Sequence, residues 1–143
     1  MLKIRNQQIQ AFQSVAETAF LRKLVEYLYE NHPQIALQIG ENLSVICQIP
    51  EKELKILVAG AINHARTYGI TSESSLAAFV VLMFVTAPNF DDHPLLKRLL
   101  EDEKIAPNDR IDSFWQQTTE QNWQVVKQNY DPKAWQNLKK ENK

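Results

Sequence analysis

The sequence contains ten consecutive apolar residues, at positions 76–85, and this run limits what the chain can fold into. A helix that is apolar on every side is either wrapped by other elements or inserted in lipid. As a helix the run would rise only about 15 Å, against a bilayer core of roughly 30 Å. The hydroxyls of Thr71 and Ser72 can cap its first turn, and Pro88 follows its end. The run therefore predicts a buried central helix over Glu73–Val85 and no membrane insertion.

Apolar residues at helical spacing predict further helices on both sides of this run. We expect them over residues 4–31, 33–43, 51–68, 94–101 and about 107–129. Residues 44–49 fit either a helix end or a short extended piece. We expect residues 132–143 to form a polar tail or one short helix around Trp135. The prediction is an all-α, single-domain bundle over residues 1–131, with six to seven helices around the central one.

Gly69 stands between the predicted helix 51–68 and the central helix. Glycine takes positive φ at little cost, and the residue that follows such a helix cap often makes an apolar contact, as Ile70 can. We therefore predict a left-handed cap at Gly69. Because the connection is short, the two helices should be neighbours.

Composition excludes some classes of partner. With 16 basic and 17 acidic residues, the chain has no charge excess that would favour nucleic acid. Cys47 is the single cysteine, so an internal disulfide is excluded, and its apolar neighbours predict a buried thiol. Residues 1–13 lack the apolar segment and cleavage site of a secretory signal, so we expect a cytoplasmic protein.

The sequence contains no recognisable catalytic, cofactor or metal motif. It has no glycine-rich phosphate loop, no nucleophile elbow and no paired-cysteine spacing, so we predict a non-enzyme without a cofactor. His64 is interpreted as a partly exposed structural histidine. Asp91, Asp92 and His93 are adjacent and of metal-ligating types, but the two acids are better explained as caps of a helix that begins at Pro94.

One pattern stands above this background. It comprises Gly60-Ala61-Ile62, Tyr68-Gly69-Ile70, Leu82-Met83-Phe84, Pro88-Asn89-Phe90-Asp91 and Arg110-Ile111. Over about residues 33–112 the chain resembles a family of small helical proteins that bacteria encode beside type VI secretion spike and PAAR-domain effector genes. Each matched position also has a structural explanation, so the motif predicts a fold rather than an active site.

The resemblance implies a protein partner: a secretion effector, a spike or PAAR component, or a toxin. The function it implies is that of an adaptor or co-chaperone, with an immunity protein as the alternative. An adaptor should expose an apolar or aromatic patch. An immunity protein should present a strongly charged face, for which an acidic edge over residues 91–103 is the candidate.

Helical geometry in residues 107–129 predicts where a partner binds. If Phe114 faces the core, Trp123 falls roughly opposite, with Tyr130 close to it and Lys127 on the same side. We predict these three residues as partner-binding, toward another protein or a second copy of the chain. The alternative is that the tail folds back and Trp135 covers Trp123.

Overall fold

The computed structural model describes the backbone of residues 2–141 and the side chains of residues 17–138, and helices predominate over that part of the chain. The helices are α1 (Leu2–Asn31), α2 (Glu51–Arg66), α3 (Glu73–Val85), α4 (Pro94–Leu100), α5 (Phe114–Gln117), α6 (Glu120–Gln128) and α7 (Lys133–Glu141). Two strands, β1 (Ala36–Ile39) and β2 (Asn42–Val45), and three 3-10 turns (Ile46–Gln48, Phe90–Asp92, Pro107–Asp109) complete the described elements. The predicted all-α class is confirmed as a mostly helical fold, which also contains one small two-stranded sheet.

The central helix α3 has the predicted bounds. The Ser72 hydroxyl accepts a hydrogen bond from the amide of Ser75, which satisfies one free donor of the first turn. The large side chains of the helix are buried, among them Leu76, Phe79, Met83 and Phe84. Along one strip, however, smaller side chains are only partly covered, so the wrapping expected from the apolar run is incomplete.

Helices α1 and α3 run in the same direction, and each packs against α2 and against the other. At one end of α2 the guanidinium of Arg66 pairs with the Glu17 carboxylate at 3.0 Å. Toward the other end, the Tyr29 hydroxyl donates to the carbonyl oxygen of Ile49 at 2.6 Å. These two contacts make α1 antiparallel to α2. The turn at Gly69, with φ +84°, reverses the chain again into α3, which confirms the predicted left-handed conformation of this residue. Helix α2 itself ends at Arg66, with Thr67 as its cap residue, rather than at Tyr68 as predicted.

The helix predicted over residues 33–43 is wrong, because this segment is an antiparallel β-hairpin. Ala36 pairs with Val45 and Ile39 with Asn42. Gly40, at φ +58°, supplies the tight turn between the strands, and its amide donates to the carbonyl of Pro132 at 3.1 Å. The hairpin is thereby attached to the start of α7. The thiol of Cys47, predicted to be buried, is exposed in the 3-10 turn that follows β2.

The continuous helix predicted over residues 107–129 is also wrong. Thr118 and Thr119 are extended, so the segment divides into a 3-10 turn, α5 and α6. The Thr119 hydroxyl and the Asn122 side chain form a capping box that restarts the helix at Glu120. Because the helix restarts here, the side chains of α6 point in directions that differ from those expected for one straight helix over residues 107–129.

The segment after Pro132 folds back onto the domain as α7. Its Trp135 is fully buried and lies against Phe84 of α3, with ring centroids 4.7 Å apart. Leu138 lies against Gly60 of α2, where a Cβ on the glycine would stand 3.1 Å from the Cβ of Leu138. Gly60 therefore allows the close approach of α7 to α2. Among the described helices, none has the length and apolarity that crossing a bilayer requires.

Candidate functional site

A groove of ≈ 820 Å³ runs along the open strip of α3. Ser74, Ala77, Ala78, Val81 and Val85 form its floor. Because these positions are three or four residues apart, they lie on one side of the helix. The floor is thus apolar apart from one hydroxyl, and it is made of small side chains.

Large side chains rise around this floor. Helix α1 contributes Phe20, Leu24 and Tyr27, and Trp115 of α5 lines the groove as well. Four large apolar side chains are exposed among the described residues, and two of them, Tyr27 at 43% and Trp115 at 64%, belong to the groove. Exposed aromatic side chains beside an apolar depression mark a surface that gains free energy when a partner covers it.

Charges are confined to the edges of the groove. Lys23 lies on the α1 side, between Phe20 and Tyr27, and Glu73 lies at the start of α3. His32 lines the groove just beyond the end of α1 and contacts the Tyr27 ring edge-on, with centroids 5.6 Å apart. An apolar centre with a few charges at its edge is the usual composition of a protein-binding site.

Sequence reasoning did not identify this site, although two signals for it were present. The apolar run over residues 76–85 has no polar face, and we interpreted this as complete burial. Phe114 and Trp115 are adjacent aromatics in a helical segment, and neighbouring residues of a helix cannot both face the core. Phe114 is buried, so Trp115 is directed outward.

The structure places the predicted partner-binding residues away from this groove. Trp123 is half-buried, with its ring 6.1 Å from Phe114 and 6.5 Å from Phe90, and its indole N–H donates to the Thr118 hydroxyl at 3.0 Å. It therefore packs beside Phe114 rather than opposite it, because the helix restarts at Glu120. Lys127 is exposed on α6.

Tyr130 is half-buried and connects three segments. Its hydroxyl donates to the carbonyl of Gln38 and accepts from the Gln38 amide, both at 3.1 Å. It also accepts from the indole N–H of Trp135 at 2.7 Å. Burial raises the pKa of the Tyr130 hydroxyl. Trp135 thus closes over Phe84 and Tyr130 rather than over Trp123, and a partner-binding role for Trp123, Tyr130 and Lys127 stays a prediction.

Apart from the groove, a cluster of His64, Tyr68 and Asp91 joins α2 to the turn that follows α3. The Nε2 atom of His64 lies 2.6 Å from Oδ2 of Asp91, and the Tyr68 hydroxyl donates to the same oxygen at 2.5 Å. The predicted capping role of Asp91 and Asp92 is wrong, because Asp91 is buried in this cluster and Asp92 makes no cap. It is Nδ1 of His93 that accepts from the amide of Leu95 and caps α4.

The electrostatics of this cluster follow from its burial. Burial by itself would raise the pKa of the Asp91 carboxyl, but the hydrogen bond and charge of His64, together with the Tyr68 hydrogen bond, outweigh it and lower that pKa. Burial and the neighbouring Asp91 raise the pKa of Tyr68 well above its usual value. The carboxylate is thus held ionised by its two partners. The hydrogen bonds of His64 and Tyr68 to this carboxylate therefore hold the turn at Phe90–Asp92 against α2.

Arg110 anchors a third connection. Its guanidinium is buried and donates to the carbonyl oxygens of Tyr68, Leu100, Asp102 and Ile105, at 2.8–3.1 Å. Carbonyls at the end of α4 carry the partial negative charge of the helix terminus, which suits a buried cation. The motif residues Tyr68, Asp91 and Arg110 therefore meet in one connected network.

No metal centre is formed by the residues that the structure describes, since no three potential His, Cys, Asp or Glu ligands come together there. Comparison with protein-family models, curated proteins and solved structures gives no match for this chain. The groove and the two anchoring clusters are therefore the observations from which a function can be argued.

Proposed function

We propose that this protein is a non-enzymatic accessory protein that binds a segment of another protein in the groove along α3. In the setting that the sequence resemblance implies, the partner is a type VI secretion effector or its spike or PAAR component. The role is then that of an adaptor or co-chaperone, which covers the partner's binding segment before delivery.

The observation that supports this proposal is the pairing of an apolar floor with exposed aromatic side chains. Trp115 and Tyr27 are among the few large apolar residues left exposed in the described chain, and both line the same groove. Scattered exposed apolar residues need no explanation, but a contiguous apolar surface of this kind indicates binding.

The immunity alternative has less support from the surface. The acidic edge considered for it, over residues 91–103, is not a uniform charged face. Asp91 is buried against His64, and Lys97 and Arg98 are exposed within the same stretch. Fast electrostatic association with a toxin requires a larger excess of one sign.

The non-enzymatic part of the proposal is supported by the closed geometry of the titratable cluster. Asp91 Oδ2 is occupied by His64 and Tyr68, and the carboxylate is buried. A general base must lie within hydrogen-bond reach of a substrate proton, and both partners of this carboxylate are protein groups.

Co-expression with the neighbouring effector, spike or PAAR gene products tests the proposal. We expect the chain to co-purify with one of them and the Trp115→Ala variant to lose that complex. Leu43→Ala is the matched control, because Leu43 is also a large exposed apolar residue, at 69%, and lies in the hairpin outside the groove. Equal loss from both variants, or from neither, would contradict the groove as the binding site.

Growth assays separate the two candidate roles. If the chain is an adaptor, expressing it with the toxin should change the toxin's solubility or secretion without protecting the cell. Restoration of growth that depends on this chain would instead establish the immunity role.

A further inference from the structure

We propose that the occupant of the groove is a single amphipathic helix of the partner, which lies antiparallel to α3. The helix has an acidic residue over Lys23 and a basic residue at the Glu73 end. This inference rests on the proposed function and specifies its partner.

The size of the groove selects one helix rather than a second copy of the domain. Among the residues whose side chains the structure describes, thirteen line the groove, whereas a stable interface between folded proteins uses about 20–30 residues on each side. The α3 residues that line the groove extend from Glu73 to Val85, which corresponds to about 18–20 Å along the helix axis. A partner helix of three to four turns covers that length, and a folded domain would contact far more surface.

The floor is shaped to receive large side chains. Ala77, Ala78 and Ser74 are short, so apolar side chains of the occupant can enter between the α1 side and Trp115. Such side chains must recur at three- and four-residue spacing to follow α3, which is the pattern of an amphipathic helix laid in a groove.

The charges at the edge of the groove, together with the helix dipole of the occupant, set the direction in which it lies. Since α1 and α3 are parallel, Lys23 faces the middle of the groove and Glu73 marks the end where α3 begins. An antiparallel occupant places its C-terminal end at Glu73. A basic residue in its last turn then meets both the carboxylate and the negative end of its own helix dipole. An acidic residue in its first half meets Lys23.

Binding of two synthetic peptides to the full chain tests this assignment. Each is a peptide of about fourteen residues with leucines at three- and four-residue spacing, so that it can form an amphipathic helix when it binds. One carries glutamates in its first half and lysine in its last turn, and the other has these charges exchanged. Fluorescence anisotropy should give about three- to tenfold tighter binding for the first peptide, the range expected for two surface charge pairs in water.

Charge reversal on the protein supplies the matched variants. Lys23→Glu should abolish or invert the preference between the peptides. Lys127→Glu should leave it unchanged, because Lys127 is an exposed lysine of α6 outside the groove. A preference that follows Lys127 instead would overturn the assignment.

The remaining outcomes separate failure of this inference from failure of the proposed function. Equal affinities that Trp115→Ala weakens together would overturn the charge and direction assigned here, while leaving the groove as a binding site. Binding of neither peptide, with an effector complex that still needs Trp115, would show that the partner segment is not a helix. A dimer in solution that Trp115→Ala dissociates would make a second copy the occupant and overturn the inference.

Discussion

The two sides of α3 differ in the size of their side chains rather than in polarity. The closed side carries Phe79 and Phe84, which are buried against neighbouring rings. The open strip carries Ala77, Ala78 and Val81, which are only partly covered. Both sides are apolar, so hydropathy does not distinguish them. The domain fills the space around large side chains, and beside small ones it leaves room that the large side chains of another molecule can fill.

The largest effect expected from this contrast is on the closed side. Phe79 lies 4.9 Å from the ring of Phe90 and is fully buried, so Phe79→Ala should reduce the free energy of unfolding by about 3–5 kcal/mol through cavity formation. Val81→Ala on the open strip should cost about 1 kcal/mol or less. Denaturant unfolding of both variants measures the difference, and similar losses would contradict the division of α3 into a closed and an open side.

The cluster around Asp91 holds the turn at Phe90–Asp92 against α2, beside the closed side of α3. Asp91→Asn should cost about 2–3 kcal/mol at neutral pH, because His64 and Tyr68 lose a buried charged acceptor. Asp92→Asn, an exposed neighbour, is the control and should change little.

The same carboxylate gives the protein a dependence on acid. Its pKa is lower in the folded than in the unfolded state, so its stabilising contribution is present above about pH 4 and is lost as the pH falls through the folded pKa. Thermal unfolding between pH 7 and pH 3 should show a steeper loss for the natural chain than for Asp91→Asn. If the two proteins lost stability equally as the pH falls, the Asp91 carboxylate would not be the cause of this pH dependence.

The turn at Gly69 sets α3 against α2 and therefore decides which side of α3 is closed. Gly69→Val should cost about 1–2 kcal/mol, because a β-branched residue is strained at φ +84°. A Gly69→Ala variant should lie between valine and glycine in the same melting experiment. If the Gly69→Val variant were as stable as the natural chain, the turn would be able to form with a negative φ at position 69.

The smallest effect on stability should come from the open side. Trp115 is 64% exposed, so Trp115→Ala should change the free energy of unfolding by about 0.5 kcal/mol or less. If the Trp115→Ala variant keeps its stability and no longer binds the partner, Trp115 contributes to binding and not to folding. A large drop in the melting temperature would instead assign Trp115 to the structural core.

The sequence predicts those features whose signal lies within a few consecutive residues. Three local predictions are confirmed: the bounds of the helix that contains the apolar run over residues 76–85, its cap at Ser72, and the positive φ of Gly69. The hairpin was missed because Ile35, Ile39 and Leu43 fit helical spacing, while Leu37 and Gly40 fit alternation around a turn. In so short an apolar stretch the two periods cannot be separated, and contacts with Pro132 and Tyr130 stabilise the hairpin.

The groove is formed by residues that are distant in sequence, so no short sequence pattern indicates that they lie together. Three groups of residues that are far apart in sequence line the groove: part of α1, the strip of α3, and Trp115. The break at Thr118–Thr119 changes the direction of the aromatic side chains that follow it. The prediction for Trp123 failed in its geometry because it assumed one straight helix. The capping box of Thr119 and Asn122 was the local sign of that break.

The last helix has a consequence for how the protein is made. Tyr130 binds Gln38 across 92 positions of sequence, and Trp135 completes the packing around Phe84. During synthesis the N-terminal segments leave the ribosome first, yet the hairpin and the end of α3 lack these contacts until Trp135 has emerged. The nascent chain therefore presents unfinished apolar surface until α7 has left the ribosome. Released chains truncated before Trp135 should be more sensitive to protease than chains that extend beyond Leu138.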